Sequence, residues 1–243
     1  ERIAAEAGRN LKKSTMELGG TDVCIVLNDD DLKKAVPGAV GGRLRNSGQV
    51  CTSSKRYLVQ SGIYDEFLAA IEAEFAKYQP GDPLDEKTTL APLSSKSAQQ
   101  HLQEQVKAAL AGGAKVLWGD PTPLVGPGAF FKPLIISGMT YDNPMYDNEL
   151  FGPVAQIYRL DSEEEIVELA NHSNYGLGGA IYSEDRQTAA RLASQIETGQ
   201  IALNQPLSSL PELPFGGIKR SGYGRELSDL GIREFANIKT VLG

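Results

Sequence analysis

This sequence predicts an α/β protein, a mostly parallel sheet flanked by helices, on two observations. Short apolar runs alternate with amphipathic stretches along most of the chain, and such alternation builds a parallel sheet covered by helices. The first run, Val23-Cys-Ile-Val-Leu27, is continuously apolar, the mark of a buried strand.

Residues 1–13 are charged and helical in character, and Met16–Gly20 leads into the Val23 strand. Asp29, Asp30 and Asp31 offer N-caps to a helix from Leu32 through Ala35 and Val40 toward Arg45. Lys55–Gln60 reads as the next strand. Phe67, Leu68, Ile71 and Phe75 recur at helical spacing over Tyr64–Tyr78, and Pro80-Gly-Asp-Pro83 ends that helix. Ser95–Ala111 is a further amphipathic helix, stopped by Gly112-Gly113. Lys115–Trp118 reads as a strand, Pro121–Gly128 as a loop, Phe130–Ile136 as extended and Val154–Leu160 as a strand. Ser162 opens a helix whose first turn holds Glu163, Glu164 and Glu165, acids that complement the helix dipole. Gly178–Ser183 and Gly199–Leu203 read as strands on either side of a helix over Arg186–Ile196.

A length of 243 residues with 41% hydrophobic content supports a real core, in one large domain or two small ones. The net charge of -7, with no clustered Lys/Arg stretch, argues against a nucleic-acid partner. No apolar run approaches a membrane span, and the charged start does not resemble a signal peptide. The 2 cysteines, Cys24 and Cys51, are too few for a disulfide framework, which predicts a reducing, cytoplasmic setting. His101 and His172 lack metal-ligand spacing, so no metal is expected and both read as surface residues. Trp118 reads as core or rim packing.

Four stretches carry the candidate chemistry. In Asn46-Ser-Gly-Gln-Val-Cys51-Thr, a turn of small residues between helix and strand can expose a thiol. That thiol attacks a carbonyl only as thiolate, which calls for a base or an electropositive setting that lowers its pKa. Cys24, inside an apolar run, reads instead as an inert core residue. In Met16-Glu17-Leu18-Gly19-Gly20, two glycines after a carboxylate allow a sharp turn or close approach to a ligand. A carboxylate in a partly apolar cleft can serve as a general base, whereas a lone Glu before Gly-Gly is otherwise a solvated turn residue. In Asn148-Glu149-Leu-Phe151-Gly-Pro153, the Glu and the aromatic could hold a sugar hydroxyl and pack on a ring, or form a loop with one buried Phe. The glycine-dense run Pro214–Glu226 suggests a loop crossing a cleft.

Taken together, in this order and spacing, the four stretches resemble the aldehyde dehydrogenase superfamily across essentially the whole chain. The resemblance implies that Cys51, in a "GQxC" motif, is the nucleophile and Glu17, in "ELGG", the general base. It implies that Glu149 and Phe151, in "E-x-F-G-P", contact the ribose and ring of a bound nicotinamide cofactor, NAD or NADP, with Gly19 beside them. It also implies a cysteine thiohemiacetal, then a thioester, with the Cys51 N–H as one oxyanion donor. The family's remaining parts, the pyrophosphate turn, an oxyanion Asn and a ribose-binding Lys, would lie upstream of residue 1. No Gly-rich phosphate loop occurs here, so the chain alone is expected to bind NAD(P) poorly. The family plan divides the chain into a cofactor-domain tail (1–22), a catalytic domain (23–220) and a C-terminal return segment (221–243). In the last of these, Ile238–Leu242 would pair across the interface of a homodimer or homotetramer.

Arg45, six residues before Cys51, is a candidate to hold a substrate carboxylate bidentately. The alternative is a solvated helix-end Arg. Succinate-semialdehyde dehydrogenases are similar in carrying an Arg there and a Ser shortly before "PFGG", where Ser208 and Ser209 stand at looser spacing. The expected reaction is oxidation of an aldehyde, succinate semialdehyde in particular. A broad-specificity aliphatic aldehyde dehydrogenase, or a silent truncated fragment, are the alternatives. Acylating relatives typically lack the Glu base, so Glu17 favours hydrolysis over transfer to coenzyme A. Glu17, Cys51 and Glu149 together argue against a non-enzymatic scaffold.

Overall fold

The computed structural model describes residues 1–243. The elements in chain order are α1 (Arg2–Arg9), β1 (Met16–Glu17), β2 (Val23–Val26), α2 (Leu32–Leu44), β3 (Arg56–Gln60), α3 (Tyr64–Phe75) and α4 (Lys96–Ala111). There follow β4 (Lys115–Gly119), β5 (Leu134–Ser137), β6 (Val154–Leu160), α5 (Glu163–Asn171), β7 (Tyr175–Gly176), β8 (Gly179–Tyr182) and α6 (Arg186–Ala193). The chain closes with β9 (Ile201–Leu203), β10 (Ile218–Lys219), β11 (Gly222–Tyr223) and α7 (Ser228–Glu234).

The main sheet has 7 strands in the order β4-β5-β6-β3-β2-β8-β9. All its pairings are parallel except β4 with β5, which is antiparallel. Side chains alternate across the strands, so each strand feeds two cores. Cys24 and Val26 of β2, with Tyr57 and Val59 of β3, pack against Val36 and Val40 of α2 and Phe67, Ile71 and Phe75 of α3. Val23, Ile25 and Leu58 face the other way, onto Ile166 and Leu169 of α5 and Leu192 of α6. Leu102 and Val106 of α4 cover Leu134, Ile136 and Val154. Trp118 packs on the rim of the first core, edge-on to Phe75 at 6.0 Å.

The helix starts follow the expected chemistry. Asp31 caps α2 by accepting from Lys33 N–H at 3.1 Å, and Ser162 caps α5 through Glu165 N–H at 3.2 Å. Three expectations are corrected at their ends. The helices from Tyr64 and Arg186 stop at Phe75 and Ala193, earlier than apolar spacing suggested. The extended stretch at 130–136 pairs only from Leu134, because Pro133 has no N–H to give a ladder. Residues 238–242, whose expected pairing is with a partner subunit, form no strand within this chain, and Ile238 is 95% exposed.

The topology positions the site. β2, β3 and β6 are adjacent and parallel, so the segments that precede them reach the sheet at one edge. Those segments are residues 16–22, 46–55 and 148–153, which hold three of the four motif stretches. The fourth is brought in by a ribbon, β1 against β11, with Glu17 opposite Gly222. No helix is long and apolar enough to cross a membrane.

Candidate active site

The Cys51 loop begins with an abrupt reversal. After α2, Asn46, Ser47 and Gly48 all take left-handed backbone conformations, with φ of 51°, 57° and 77°. Two of them are not glycine, so the turn is strained and must be held by its surroundings. Ser47 donates to the Ala91 carbonyl at 2.6 Å, and Gln49 accepts from Ser94 N–H at 2.8 Å. The main restraint is Arg43, which is fully buried. Its guanidinium donates to the carbonyls of Ser53 (3.2 Å), Ser54 (3.4 Å), Gly48 (3.1 Å) and Leu150 (3.2 Å), and to that of Gly152. One side chain thereby joins the Cys51 loop to the Glu149–Pro153 loop. Gly48 lies against the Gly152 carbonyl, where a Cβ would collide with backbone.

Glu17 is seated from the far end of the chain. Leu18 N–H donates to the Ser221 carbonyl at 3.1 Å, and the buried Ser221 hydroxyl donates to the Gly19 carbonyl at 2.7 Å. Gly222 has φ of 116°, and its missing Cβ leaves room for the Met16 carbonyl. Glu17 then faces Cys51, and carboxylate and thiol sense each other electrostatically. The Glu17 Oε1 atom is buried without a hydrogen-bond partner. Burial raises the Glu17 pKa, the Cys51 contact lowers it, and the charges of Glu226 and Glu149 raise it further.

The Cys51 thiol is pushed up to about 12, by burial first, then by its contact with Glu17 and that group's charge. Lys55 and the Thr52 N–H pull in the opposite direction. The expected depression of this thiol is therefore corrected: within this chain Cys51 is a neutral thiol beside a base. Its own N–H donates to no acceptor in the protein. Cys24 lies in the core at 1% exposure, and burial raises its thiol as well.

Glu149, Phe151 and Gly19 meet around a residue that sequence reasoning missed. Lys55 is 0% exposed. It donates to the carbonyls of Val50 at 3.0 Å and Cys51 at 2.7 Å. Glu149 Oε1 lies 2.8 Å from its Nζ, a charge contact set off the hydrogen-bond direction, and has no other partner. The Phe151 ring, 43% exposed, has its centroid 6.0 Å from the same Nζ. A Cβ on Gly19 would strike the Glu149 carboxylate and displace it. Asp22, buried beside Lys55 and Arg56, accepts from Gly178 N–H at 3.0 Å and is raised to about 6 by burial. A Lys-Arg pair entering an apolar strand was the available signal for these buried cations; their partners come from distant segments.

Arg45 and the serines stand apart. Arg45 is exposed and lines a cavity of about 460 Å³ with Leu44, Tyr78, Thr88 and Leu90; Cys51 is not in its wall. The strained turn separates the two, so the single cleft expected for them is not formed by this chain alone. Ser208 and Ser209 are exposed in the loop after β9. His101 and His172 are exposed, and the ring of Tyr141 stacks on His172 at 3.9 Å.

Comparison with known proteins follows the same geometry. Residues 1–241 match the model of the aldehyde dehydrogenase family. The succinate-semialdehyde dehydrogenase (NADP(+)) of Deinococcus radiodurans is 49% identical over 239 residues, covering 98% of this chain and 50% of that protein. The crystal structure of succinic semialdehyde dehydrogenase from Streptococcus pyogenes with NADP+ superposes with a TM-score of 0.94 at 51% identity, over 97% of this chain and 51% of that one. Betaine aldehyde dehydrogenase from Staphylococcus aureus with NAD+ gives a TM-score of 0.91 at 32% identity, over 96% and 47%. The chain spans about half the length of these relatives.

Proposed function

Because the chain belongs to the aldehyde dehydrogenase family, we propose that it carries the nucleophile and base for oxidising an aldehyde to a carboxylic acid, with succinate semialdehyde as substrate. The observation that carries this reading is the meeting of Cys51, its free N–H and Glu17 at one sheet edge.

The residues act in a fixed order. Cys51 Sγ forms a bond to the aldehyde carbon while the carbonyl electron pair moves onto oxygen. The Cys51 N–H, with no other acceptor, donates to that oxygen as charge develops. The thiol proton passes to Glu17 as Sγ attacks, and burial raises the pKa of that carboxylate. A bound nicotinamide supplies the acceptor for the hydride that leaves the aldehyde carbon. Glu17 gives the thiol proton up to solvent and, again a carboxylate, takes a proton from the water that attacks the resulting thioester, and Sγ leaves as thiolate.

The chain's residues fit the nicotinamide end of NAD or NADP. Glu149 Oε1 is a buried charge lacking a directed hydrogen bond, and Gly19 lets the Glu149 carboxylate approach its backbone closely. Phe151 is half-exposed for ring contact. The relatives from D. radiodurans and S. pyogenes use NADP+, which supports that cofactor here. Residues 1–22 are the cofactor-domain tail in this reading, 23–220 the catalytic domain, and 221–243 the segment that joins subunits of a homodimer or homotetramer.

For the substrate, Arg45 is an exposed guanidinium with no acidic partner, free to meet a carboxylate. Ser208 and Ser209 would assist it. The separate cavity beside Arg45 favours a second reading, a broad-specificity aliphatic aldehyde dehydrogenase. Full-length enzyme with Arg45→Ala decides between them. It should lose about tenfold to a thousandfold in kcat/KM on succinate semialdehyde, the cost of an unpaired carboxylate, and little on butanal. Equal losses on both aldehydes would select the second reading. Glu17→Gln should slow the first-turnover burst of NAD(P)H less than the steady state, which should fall by about a hundredfold or more. A lost burst with unchanged hydrolysis would remove Glu17 from the proposed role.

A further inference from the structure

The four motif stretches do not include Lys55, yet it contacts both the Cys51 loop and Glu149. Its ammonium is fully buried between three segments. On one side it binds the carbonyls of Val50 and Cys51, the backbone of the nucleophile itself. On the other it meets the Glu149 carboxylate at 2.8 Å and looks onto the Phe151 ring. A lysine has three donors and no acceptor, so each proton here has a backbone or acidic neighbour. Burying an ammonium is costly unless it is paired and hydrogen-bonded, and Glu149 provides its only carboxylate contact within ion-pair distance.

We propose that Lys55 is a positioning residue that fixes Glu149 and Phe151 relative to Cys51, and that its charge assists the thiol. The first part rests on the proposed role of Glu149 and Phe151 at the nicotinamide; the second does not depend on it. Lys55 spans the two loops that set the distance from nucleophile to hydride acceptor. Arg43 ties the same two loops through their carbonyls and the Ser53 hydroxyl. Lys55 adds a contact to the Glu149 side chain itself.

The electrostatic surroundings are mixed. Cys51 faces Glu17, whose carboxylate opposes ionisation, and Lys55, which favours it. Lys55 in turn faces Glu149 and Asp22, which favour its charge, and Arg43, which opposes it. Glu226 faces Glu17 from the C-terminal stretch. Removing the ammonium and removing its carboxylate partner should therefore move the thiol in opposite directions.

The test uses full-length enzyme as wild type, Lys55→Met and Glu149→Gln. Two quantities are measured: iodoacetamide alkylation of Cys51 against pH, by peptide mapping, and the Kd for NADPH, by fluorescence. Lys55→Met should shift the alkylation midpoint upward by about one pH unit, slowing labelling about tenfold below it. Glu149→Gln should shift the midpoint downward, since Lys55 then acts without its counter-charge. Both should weaken NADPH binding about tenfold or more. Midpoints that stay put, or move in the same direction in the two variants, would overturn the proposal. If Lys55→Met does not fold, Glu149→Gln with an unmoved midpoint overturns it alone. Wild-type enzyme that binds no NADPH would sink the cofactor reading, while opposite midpoint shifts would still uphold the charge of Lys55 on the thiol.

Discussion

The loops ahead of β3 and β6 and the tail after Glu234 are all stretches without helix or strand, and they differ in what satisfies their backbone. Arg43, in the last turn of α2, and Lys55 are buried to the last atom and give their protons mainly to carbonyls of the loops. Orphaned buried carbonyls are expensive, and these two cations meet several of them at once. The tail holds Ile238, Val241 and Leu242, residues of high strand propensity, all largely exposed and paired with nothing. An irregular segment becomes rigid when cations organise its carbonyls. An apolar segment remains a surface when no edge receives it.

Two changes sharpen that contrast. The larger is Arg43→Leu, which removes the charge that joins both loops and leaves the carbonyls of Gly48 and Ser53 without a donor. It should destabilise the protein by roughly 3–5 kcal/mol, read as a lower midpoint in urea with Cys51 labelling faster. A loss under about 1 kcal/mol would mean water replaces the guanidinium and the loops hold themselves. The smaller is deletion of residues 236–243. It should change the stability of this chain by less than about 0.5 kcal/mol, because those side chains are exposed, apart from Ala236 N–H on Arg233. In full-length enzyme the same deletion should lower the oligomeric state in sedimentation. Marked destabilisation of the isolated chain would show that the tail folds back on its own core.

Much of this architecture is legible in the residues. The apolar runs at Val23 and Val154 and the caps at Asp31 and Ser162 announce themselves locally, because burial and capping depend on near neighbours. The motif glycines are also legible, since Gly19, Gly48 and Gly222 stand where any side chain would collide. What could not be read is whatever depends on a partner far along the chain. Lys55 in Ser-Ser-Lys-Arg-Tyr looks like a solvated entry to a strand, and its partner Glu149 belongs to a loop on the neighbouring strand. The state of Cys51 was misjudged for the same reason. Its small polar neighbours suggest openness, whereas burial and Glu17 hold the thiol protonated. Arg45, close to Cys51 in sequence, lines a cavity whose wall does not include Cys51, and the left-handed residues between them carry no compositional signal.

The clasp between Glu17 and the Gly222 ribbon has a consequence for synthesis. Ser221 and Gly19, which it joins, are 202 positions apart. A chain emerging from the ribosome exposes the whole Cys51 loop, with Arg43 and Lys55 beside it, long before Gly222 is made. Until those last residues arrive, the segment carrying Glu17 has no ribbon to lie against. The Cys51 loop is thus translated before the ribbon that seats Glu17, so a chain stopped between the two would carry Cys51 without the clasp that holds Glu17.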